Sequence, residues 1–305
     1  MRLYAVLADI HGNYSALSAV AAEAQAIAAA EEGSLSFICL GDVVDYGPQP
    51  NECVAWVTAN ATTAVLGNHD LLAINDHVPI GVQRNLWPML LWTRAALTPT
   101  TRAAMAAWQP EQRIPPFQIF HSSLTESDGY INTLVAANET LGRLKDPYGL
   151  FGHTHIQCSY FEAWPLPRLG LPGLVGETLA HAEQVPLSEW QPLPSDGTRV
   201  LLNPGSVGQP RRHPLLTVQG SRIDYRASYL LIRESAPSHW DYRFQRTPYD
   251  LAITVKLLGE LEWVEEDEVQ VSEQHPLLRQ IAETKSAMRS LLPVTVQYLI
   301  AQLDC

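Results

Sequence analysis

The chain has 305 residues, 46% of them hydrophobic, and a formal net charge of −12 at pH 7. This length and apolar content allow one large hydrophobic core with a small appendage, which indicates a soluble globular protein. The acidic balance argues against a protein that coats nucleic acid through its overall charge, although a local cationic site can still exist.

The first apolar run, residues 3–8, is interrupted by Asp9 and His11. It is shorter than a signal-peptide core of about 7–15 residues or a membrane span of about 20 residues. We therefore expect a cytoplasmic protein that has no contact with a membrane. The four cysteines form no closely spaced pair, so we expect reduced thiols and neither a disulfide framework nor a zinc knuckle.

Short apolar runs alternate with helical patterns along most of the chain. Asn13 lies where it could cap the first helix, and Thr98 with Pro99 has the residue types that favour a helix start. The predicted strands are 3–8, 37–40, 62–66, 117–120, 148–151 and 199–202, and the predicted helices are 15–31, 51–59 and 100–108.

Two later segments depart from this alternation. A proline-rich stretch at 164–194 predicts an irregular insertion that covers about 160–198. Beyond residue 262, a charged run is followed by apolar positions at helical spacing, which predicts a C-terminal helical extension over 263–305. Docking on the core is the favoured role of this extension, and a homodimer contact is the second possibility.

Five segments that contain histidine or carboxylate follow directly after the apolar runs. Loops at the carboxyl ends of strands in an α/β sheet converge on one crevice, so residues far apart in sequence can meet there. The set therefore predicts a site assembled from several loops. The segments are Asp9-Ile10-His11-Gly12-Asn13, Gly41-Asp42-Val43-Val44-Asp45, Gly67-Asn68-His69-Asp70, His121 and Gly152-His153-Thr154-His155.

The residue types in these segments are those of a transition-metal site. Gly12 allows a turn that brings Asp9 and His11 toward one ion. Asp42 has two oxygens and can bridge two cations, and Asn68 offers a neutral carbonyl oxygen. A mixed nitrogen and oxygen set favours Mn, Fe, Zn, Co or Ni over Ca or Mg. One such segment alone is more often a structural loop, but the five together predict a metal centre.

The order of the five segments resembles the signature of the calcineurin-like metallophosphoesterase superfamily, with no ligand missing. The segment Asn203-Pro-Gly-Ser-Val-Gly-Gln-Pro-Arg211 is similar, more narrowly, to the bacterial and archaeal branch of small phosphodiesterases. The resemblance implies an α/β fold, a four-layer αββα sandwich of two mixed sheets flanked by helices. It implies a metallophosphoesterase domain over 1–262.

The same resemblance implies two divalent ions, with Mn favoured, that share one carboxylate. A hydroxide bridging the ions would attack phosphorus in line with the leaving group. His69 would protonate the departing oxygen or stabilise the charge of the transition state, and Asp45 would orient His69, with Asp70 as the alternative. The ligands of one ion would be Asp9, His11, Asp42 and His155, and those of the other would be Asp42, Asn68, His121 and His153.

Two candidate substrate contacts have competing interpretations. Arg211 either pairs with phosphate or belongs to a solvated loop. Asn13 either touches the phosphate or only caps its helix, and the cap is favoured. Tyr46 stands where protein Ser/Thr phosphatases of the superfamily carry a phosphate-binding arginine, so that activity is disfavoured.

The favoured function is hydrolysis of a small phosphate ester, most of all a phosphodiester or nucleotide-type substrate. A nuclease on the same metal centre is an alternative, but the chain lacks clusters of Lys and Arg with interleaved aromatic residues. A catalytically silent metal-binding scaffold is a second alternative, and the presence of His69 argues against it. We therefore expect no extended nucleic acid as a partner.

Overall fold

The strands and helices begin close to the positions predicted from the apolar pattern. The computed structural model describes residues 1–75, 87–126, 128–162, 180–183, 187–211 and 224–261. In chain order the described elements are β1 (Arg2–Leu7), α1 (Tyr14–Ala30), β2 (Ser34–Cys39), α2 (Pro50–Asn60), β3 (Ala61–Ala64), α3 (Asn68–Ile74), α4 (Trp87–Ala96), α5 (Pro99–Ala106), β4 (Glu111–Ile114), β5 (Phe117–Phe120), α6 (Leu134–Leu141), β6 (Tyr148–Leu150), β7 (Gln157–Glu162), β8 (Ala180–Glu183), β9 (Gln191–Pro192), β10 (Val200–Pro204), β11 (Ala227–Ala236), β12 (His239–Thr247) and α7 (Leu251–Gly259).

The described strands form two six-stranded sheets, and both sheets are mixed. The order in the first sheet is β3-β2-β1-β11-β12-β9, with β1 parallel to β2 and antiparallel to β11. The order in the second sheet is β4-β5-β6-β10-β7-β8, with β6 parallel to both β5 and β10. The apolar sequences of β1 and β10 are buried on both faces, as is typical of central strands.

Alternate side chains of β1 belong to different hydrophobic clusters. Leu3 and Leu7 pack with residues of α1 on the outer side of the first sheet. Val6 lies between the two sheets, in one cluster with Phe117 of the second sheet. A third cluster packs α6 against the outer side of the second sheet. The layers are therefore helix, sheet, sheet and helix, which confirms the predicted four-layer sandwich.

The candidate ligand segments lie at the carboxyl ends of the parallel strands, as predicted. Segments of the first sheet follow β1, β2 and β3, and those of the second sheet follow β5 and β6. The two sets of loops meet across the sandwich, where the backbone N–H of His153 donates to Asp9 Oδ1 at 3.0 Å. Packing of the two sheets therefore sets the distances between the ligands.

Some predicted regions differ from the structure or lie outside the described residues. The Gly67-Asn68-His69-Asp70 segment begins the seven-residue helix α3, which is too short to give an apolar repeat. The stretch 160–198 includes the end of β7 as well as β8 and β9, so its described part is not wholly irregular. The predicted extension 263–305 lies outside the described residues, and none of the described helices has the length and hydrophobicity of a membrane span.

Trp240 of β12 joins the two sheets at the end opposite the ligand loops. Its ring lies edge-on to Phe117 with the ring centroids 5.0 Å apart, and the residue is 5% exposed. In the sheet, Trp240 of β12 pairs with Glu234 of β11, and the neighbouring Arg233 pairs with Leu3 of β1. Trp240 is therefore level with the start of β1, whereas candidate ligands follow the end of β1. The side chain is thus a structural contact remote from the candidate site.

We expect Trp240→Ala to lower the free energy of unfolding by about 3–5 kcal/mol, because it leaves a cavity between the sheets. Trp240→Phe should recover part of this loss. Urea unfolding at a fixed metal concentration measures both variants. Unchanged stability in Trp240→Ala, or lost metal binding in its folded form, would contradict this assignment of Trp240 to the core alone.

Candidate metal centre

Ligand loops in this protein have unusual backbone conformations. Asp9 and His11 have φ angles of 53° and 49°, and Asp42, His153 and His155 also have positive φ angles. This left-handed region is strained for most residues but is tolerated best by Asn, Asp and His. Asp9 and His11 both have this left-handed conformation, so the chain forms a turn after β1. The turn directs the two side chains to the same side.

Hydrogen bonds between neighbouring loops stabilise these strained turns. The N–H of Asp9 donates to the carbonyl of Gly41 at 3.1 Å, and the N–H of His11 donates to the carbonyl of Asp42 at 3.0 Å. Both carboxylate oxygens of Asp70 accept backbone N–H groups, those of Val43, Val44 and Gly67. The loops after β1, β2 and β3 therefore form one bonded unit.

The first candidate metal-binding group contains Asp9, His11, Asp42 and His155. Each offers one ligand atom within 4.8 Å of the others, and all four residues are buried. The two Nε2 atoms of His11 and His155 are 3.1 Å apart, and Asp42 Oδ2 is 3.9 Å from His11 Nε2. This is the set predicted for one ion.

The second group shares Asp42 with the first and adds His121 and His153, again with ligand atoms within 4.8 Å. His121 Nε2 lies 3.2 Å from Asp42 Oδ2 and 3.0 Å from Asn68 Oδ1. Asn68 is the first residue of α3. The structure thus brings together the residues predicted for the second ion and gives both groups a common oxygen, Asp42 Oδ2.

Each histidine of the two groups has one ring nitrogen on a backbone carbonyl. A carbonyl only accepts, so that nitrogen must carry the proton, and the other nitrogen of a neutral ring is left as a bare lone pair. This arrangement is the one found for metal-ligating imidazoles. The pairs are His11 Nδ1 with Val44 O, His121 Nδ1 with Leu40 O, His153 Nε2 with Asp128 O, and His155 Nδ1 with Gln209 O.

His11 and His155 direct their unprotonated ring nitrogens at each other. Burial lowers the pKa of His11 to about 3 and holds that of His155 well below its usual value. Both rings are therefore neutral, and two bare Nε2 atoms face each other at 3.1 Å. Two acceptors at this distance repel each other unless a cation lies between them.

The carboxylates give the same indication. Within the described part of the chain, the buried oxygens Asp9 Oδ2 and Asp42 Oδ2 have no hydrogen-bond partner. Burial raises the pKa of Asp9 to about 7. Burial acts in the same direction on Asp42, but the neighbouring His121 and His69 outweigh it and hold the pKa of Asp42 well below its usual value. A buried acceptor without a partner is costly. The donor set therefore fits divalent cations.

His69 is paired with Asp45. The Nδ1 atom of His69 is 2.7 Å from Asp45 Oδ2, while Asp45 Oδ1 accepts the N–H of Tyr46 at 2.8 Å. Burial alone would lower the pKa of His69, but Asp42 and the Asp45 hydrogen bond raise it to about 9. Asp70, the alternative partner, is instead occupied by backbone N–H groups.

The two candidate substrate residues are placed differently. Asn13 Oδ1 accepts the N–H of Ala16 and so caps α1. Its Nδ2 donates to the carbonyl of Gly208 and to the hydroxyl of Tyr249. Both amide hydrogens are therefore used inside the protein, and the substrate contact predicted for Asn13 has no free donor to support it.

Arg211 is exposed, and its backbone N–H donates to the carbonyl of His155 at 3.1 Å. Burial dominates the pKa values of Asp9 and His155, and the positive charge of Arg211 also acts on both. Arg211 thus lies beside the first group.

Ser206 and Gln209 connect two of the candidate ligands and were not identified from the sequence. Ser206 Oγ donates to the carbonyl of Asp9 at 2.7 Å and accepts the N–H of Gln209 at 2.7 Å. The carbonyl of Gln209 in turn accepts His155 Nδ1. The 203–211 segment resembles a branch of the family, but its sequence pattern alone does not reveal these contacts between distant loops.

A family model for calcineurin-like phosphoesterases matches residues 3–157, just over half of the chain. The chain belongs to this family. The phosphoesterase is therefore a hydrolase of phosphoric esters, and it has candidate metal-ligand residues, in keeping with a family that binds divalent metals.

Relatives of the phosphoesterase occur in bacteria and archaea. An uncharacterized protein of Methanocaldococcus jannaschii is 25% identical over 220 residues, which cover 68% of this chain and 77% of that protein. A metallophosphoesterase from Sphaerobacter thermophilus has a similar structure, with a TM-score of 0.62, 24% identity, and coverage of 85% and 93%. A hypothetical protein from Pyrococcus horikoshii gives a TM-score of 0.57, 17% identity, and coverage of 92% and 98%. The two solved structures support the sandwich fold.

Gly67 provides a direct test of how tightly this centre is packed. A Cβ atom at Gly67 would lie 2.1 Å from Asp42 Oδ1 and 2.3 Å from the backbone nitrogen of Asp42. We expect Gly67→Ala to displace the Asp42 carboxylate and to weaken Mn²⁺ binding at least about tenfold. Titration calorimetry with Mn²⁺ measures the effect.

The matched control is Gly259→Ala, because a Cβ atom there meets no heavy atom of the described residues within 4 Å. Its Mn²⁺ affinity should equal that of the unaltered protein. An unchanged affinity in Gly67→Ala would mean that the Asp42 carboxylate does not hold the metal.

Proposed function

We propose that this phosphoesterase uses two divalent transition-metal ions to hydrolyse a small phosphate ester, favouring a phosphodiester or nucleotide-type substrate. The observation that carries the proposal is the common oxygen, Asp42 Oδ2, which faces both histidine groups and accepts no hydrogen bond from the described residues. One ion is assigned to Asp9, His11, Asp42 and His155, and the other to Asp42, Asn68, His121 and His153.

The mixed nitrogen and oxygen ligands support Mn, with Fe, Zn, Co and Ni as compatible metals. Such ions supply the positive charge that activates water and neutralises phosphoryl oxygens in phosphoester hydrolysis. The contribution of the chain is to hold the bare nitrogens and oxygens in place before the substrate arrives. The backbone carbonyls on the histidines and the N–H groups on Asp70 support this preorganisation.

His69 is proposed as the proton donor to the departing oxygen. With Nδ1 engaged by Asp45 at 2.7 Å, Nε2 is the nitrogen that can transfer a proton. The ring of His69 lies perpendicular to that of His11, with the centroids 5.1 Å apart, so it adjoins the first group. Asp45 fixes the orientation and tautomer of His69.

Arg211 is proposed to pair with a phosphoryl oxygen of the substrate. Its exposed side chain lies beside the first group, where a guanidinium can bind phosphate through two parallel hydrogen bonds. The net charge of −12 supports a small substrate over an extended nucleic acid. The retained pairing of His69 with Asp45 favours an enzyme over a silent scaffold.

His69→Ala tests the catalytic assignment. We expect both metals to remain, as counted by elemental mass spectrometry, and turnover to fall roughly 10²–10⁴-fold. The loss should be larger for an alkyl phosphodiester than for a nitrophenyl phosphodiester, because an alkoxide needs a proton more than a nitrophenolate does.

His239→Ala is the matched control. His239 is the exposed first residue of β12, and its Nδ1 lies 3.0 Å from the carbonyl of Pro237. None of the candidate metal ligands lies in β12. This variant should keep full activity. Equal losses on both ester types in His69→Ala would contradict proton donation by His69.

Metal removal should destabilise the protein. Mn²⁺ at 100 times its dissociation constant stabilises the folded state by about 2.7 kcal/mol per site, and chelation also leaves the bare acceptors facing each other. We expect a higher Tm with Mn²⁺ than with chelator in scanning calorimetry. This difference should shrink strongly in Asp42→Ala, and an equal difference in that variant would argue against a shared Asp42.

A further inference from the structure

Tyr130 presents an exposed aromatic ring directly beside the second candidate metal-binding group. Its ring stacks on that of His153, with centroids 4.1 Å apart and an interplanar angle of 21°. The residue is nevertheless 48% exposed. One part of the ring therefore covers a candidate metal ligand, and a large part remains available to another molecule.

The loop around Tyr130 is held from both sides. The carbonyl of Asp128 lies 3.0 Å from His153 Nε2, and the carbonyl of Ile131 accepts the hydroxyl of Tyr160. Ile131 itself is 1% exposed. Since the neighbours of Tyr130 are fixed, its ring is preorganised, and a ligand that stacks on it has little conformational entropy to lose.

Positioning of His153 does not by itself explain an exposed ring. The Asp128 carbonyl already fixes the ring orientation and tautomer of His153, and a ring that served only as packing would gain from burial. An exposed, rigid aromatic side chain next to a site is instead a common feature of ligand-binding surfaces.

Tyr46 is a second aromatic residue beside the candidate metal-binding groups. Tyr46 packs against His11 and His69, with ring centroids 4.7 and 4.9 Å away. Burial raises the pKa of Tyr46. Asp45, Asp42 and Tyr130 add to this shift and Arg211 opposes it, so Tyr130 and Arg211 both lie near Tyr46. Two aromatic rings and an arginine therefore surround the same metal-binding groups, which suits a substrate with both a flat ring and a phosphate.

We propose that Tyr130 is a specificity-determining residue that stacks on a planar ring of the substrate, and that a nucleobase attached to the phosphate ester is the class of ring it accepts. The inference rests on the proposed phosphoesterase function. Stacking of a base on an aromatic side chain contributes about tenfold or more to affinity. A phosphate ester without such a ring does not receive this contribution.

The test is equilibrium binding of two phosphonates, whose carbon–phosphorus bonds hydrolysis does not cleave. Calorimetry on the full Mn²⁺-loaded chain compares an adenosine phosphonate with methylphosphonate, which lacks the nucleoside. We expect the adenosine compound to bind at least about tenfold more tightly. Tyr130→Ala and Tyr130→Leu should lose this preference, while Tyr130→Phe should retain it because its ring has the same face.

Two controls separate recognition from structure. Tyr225→Ala, at a tyrosine that is 40% exposed next to β11, should keep the preference for the adenosine compound. Elemental mass spectrometry checks that each variant holds the same amount of metal. If Tyr130→Ala folds poorly, Tyr130→Leu decides, since it retains an apolar side chain against His153.

The inference is overturned if Tyr130→Leu weakens both phosphonates equally, because Tyr130 would then act only through His153. It is also overturned if the unaltered protein binds both compounds equally well. In that case binding of methylphosphonate would leave the proposed function intact. Absence of bound metal and of binding to either compound would instead overturn the proposed function and this inference together.

Discussion

The rest of the site depends on one buried carboxylate, that of Asp42. One of its oxygens, Oδ1, accepts the backbone N–H of His69 at 2.9 Å, while Oδ2 has no hydrogen-bond partner among the described residues. A buried negative charge with a free acceptor is expensive. Positive charge at Oδ2 offsets this cost. The oxygen lies between the two candidate groups, 3.9 Å from the bare Nε2 of His11 and 3.2 Å from Nε2 of His121. This single oxygen is common to the two candidate groups of ligands.

Asp42 lies where the loops of the two sheets meet. The first sheet contributes the segments with Asp9, His11, Asp42 and Asn68, and the second contributes those with His121, His153 and His155. Neither sheet has a complete ligand set, so packing of the sandwich core creates the centre. Strain is concentrated in the same loops, where the ligands have positive φ angles and Gly67 leaves no room for a Cβ atom beside Asp42.

The sequence predicts candidate ligand residues that the fold brings together, because apolar runs mark strands and the candidate segments follow the strand ends. The four-layer sandwich and the contact between Asp45 and His69 came from the family resemblance, since two carboxylates were available and spacing could not choose between them. An asparagine at position 13 is compatible with helix capping and with phosphate binding, so the sequence does not distinguish these roles. The structure shows that its amide donates to Gly208 and Tyr249 within the protein. The roles of the ligands remain predictions that the geometry supports.

Other features had no signal in the sequence because they depend on contacts between distant loops. Ser206 reaches the carbonyl of Asp9 across 197 positions, and the stacking of Tyr130 on His153 joins segments from different strand ends. Backbone carbonyls, such as that of Asp128 beneath His153, are present at every residue and so carry no residue-type pattern. Local propensity and motif order therefore predict the candidate ligands, while the contacts that hold them and the surface near them are visible only in the folded chain.

The most direct measurement is anomalous diffraction from crystals grown with Mn²⁺. We expect two anomalous peaks, one on each side of Asp42 Oδ2, one contacting His11 and His155 and the other contacting His121 and His153. A single peak, or two peaks without Asp42 between them, would contradict a centre built on a shared carboxylate oxygen.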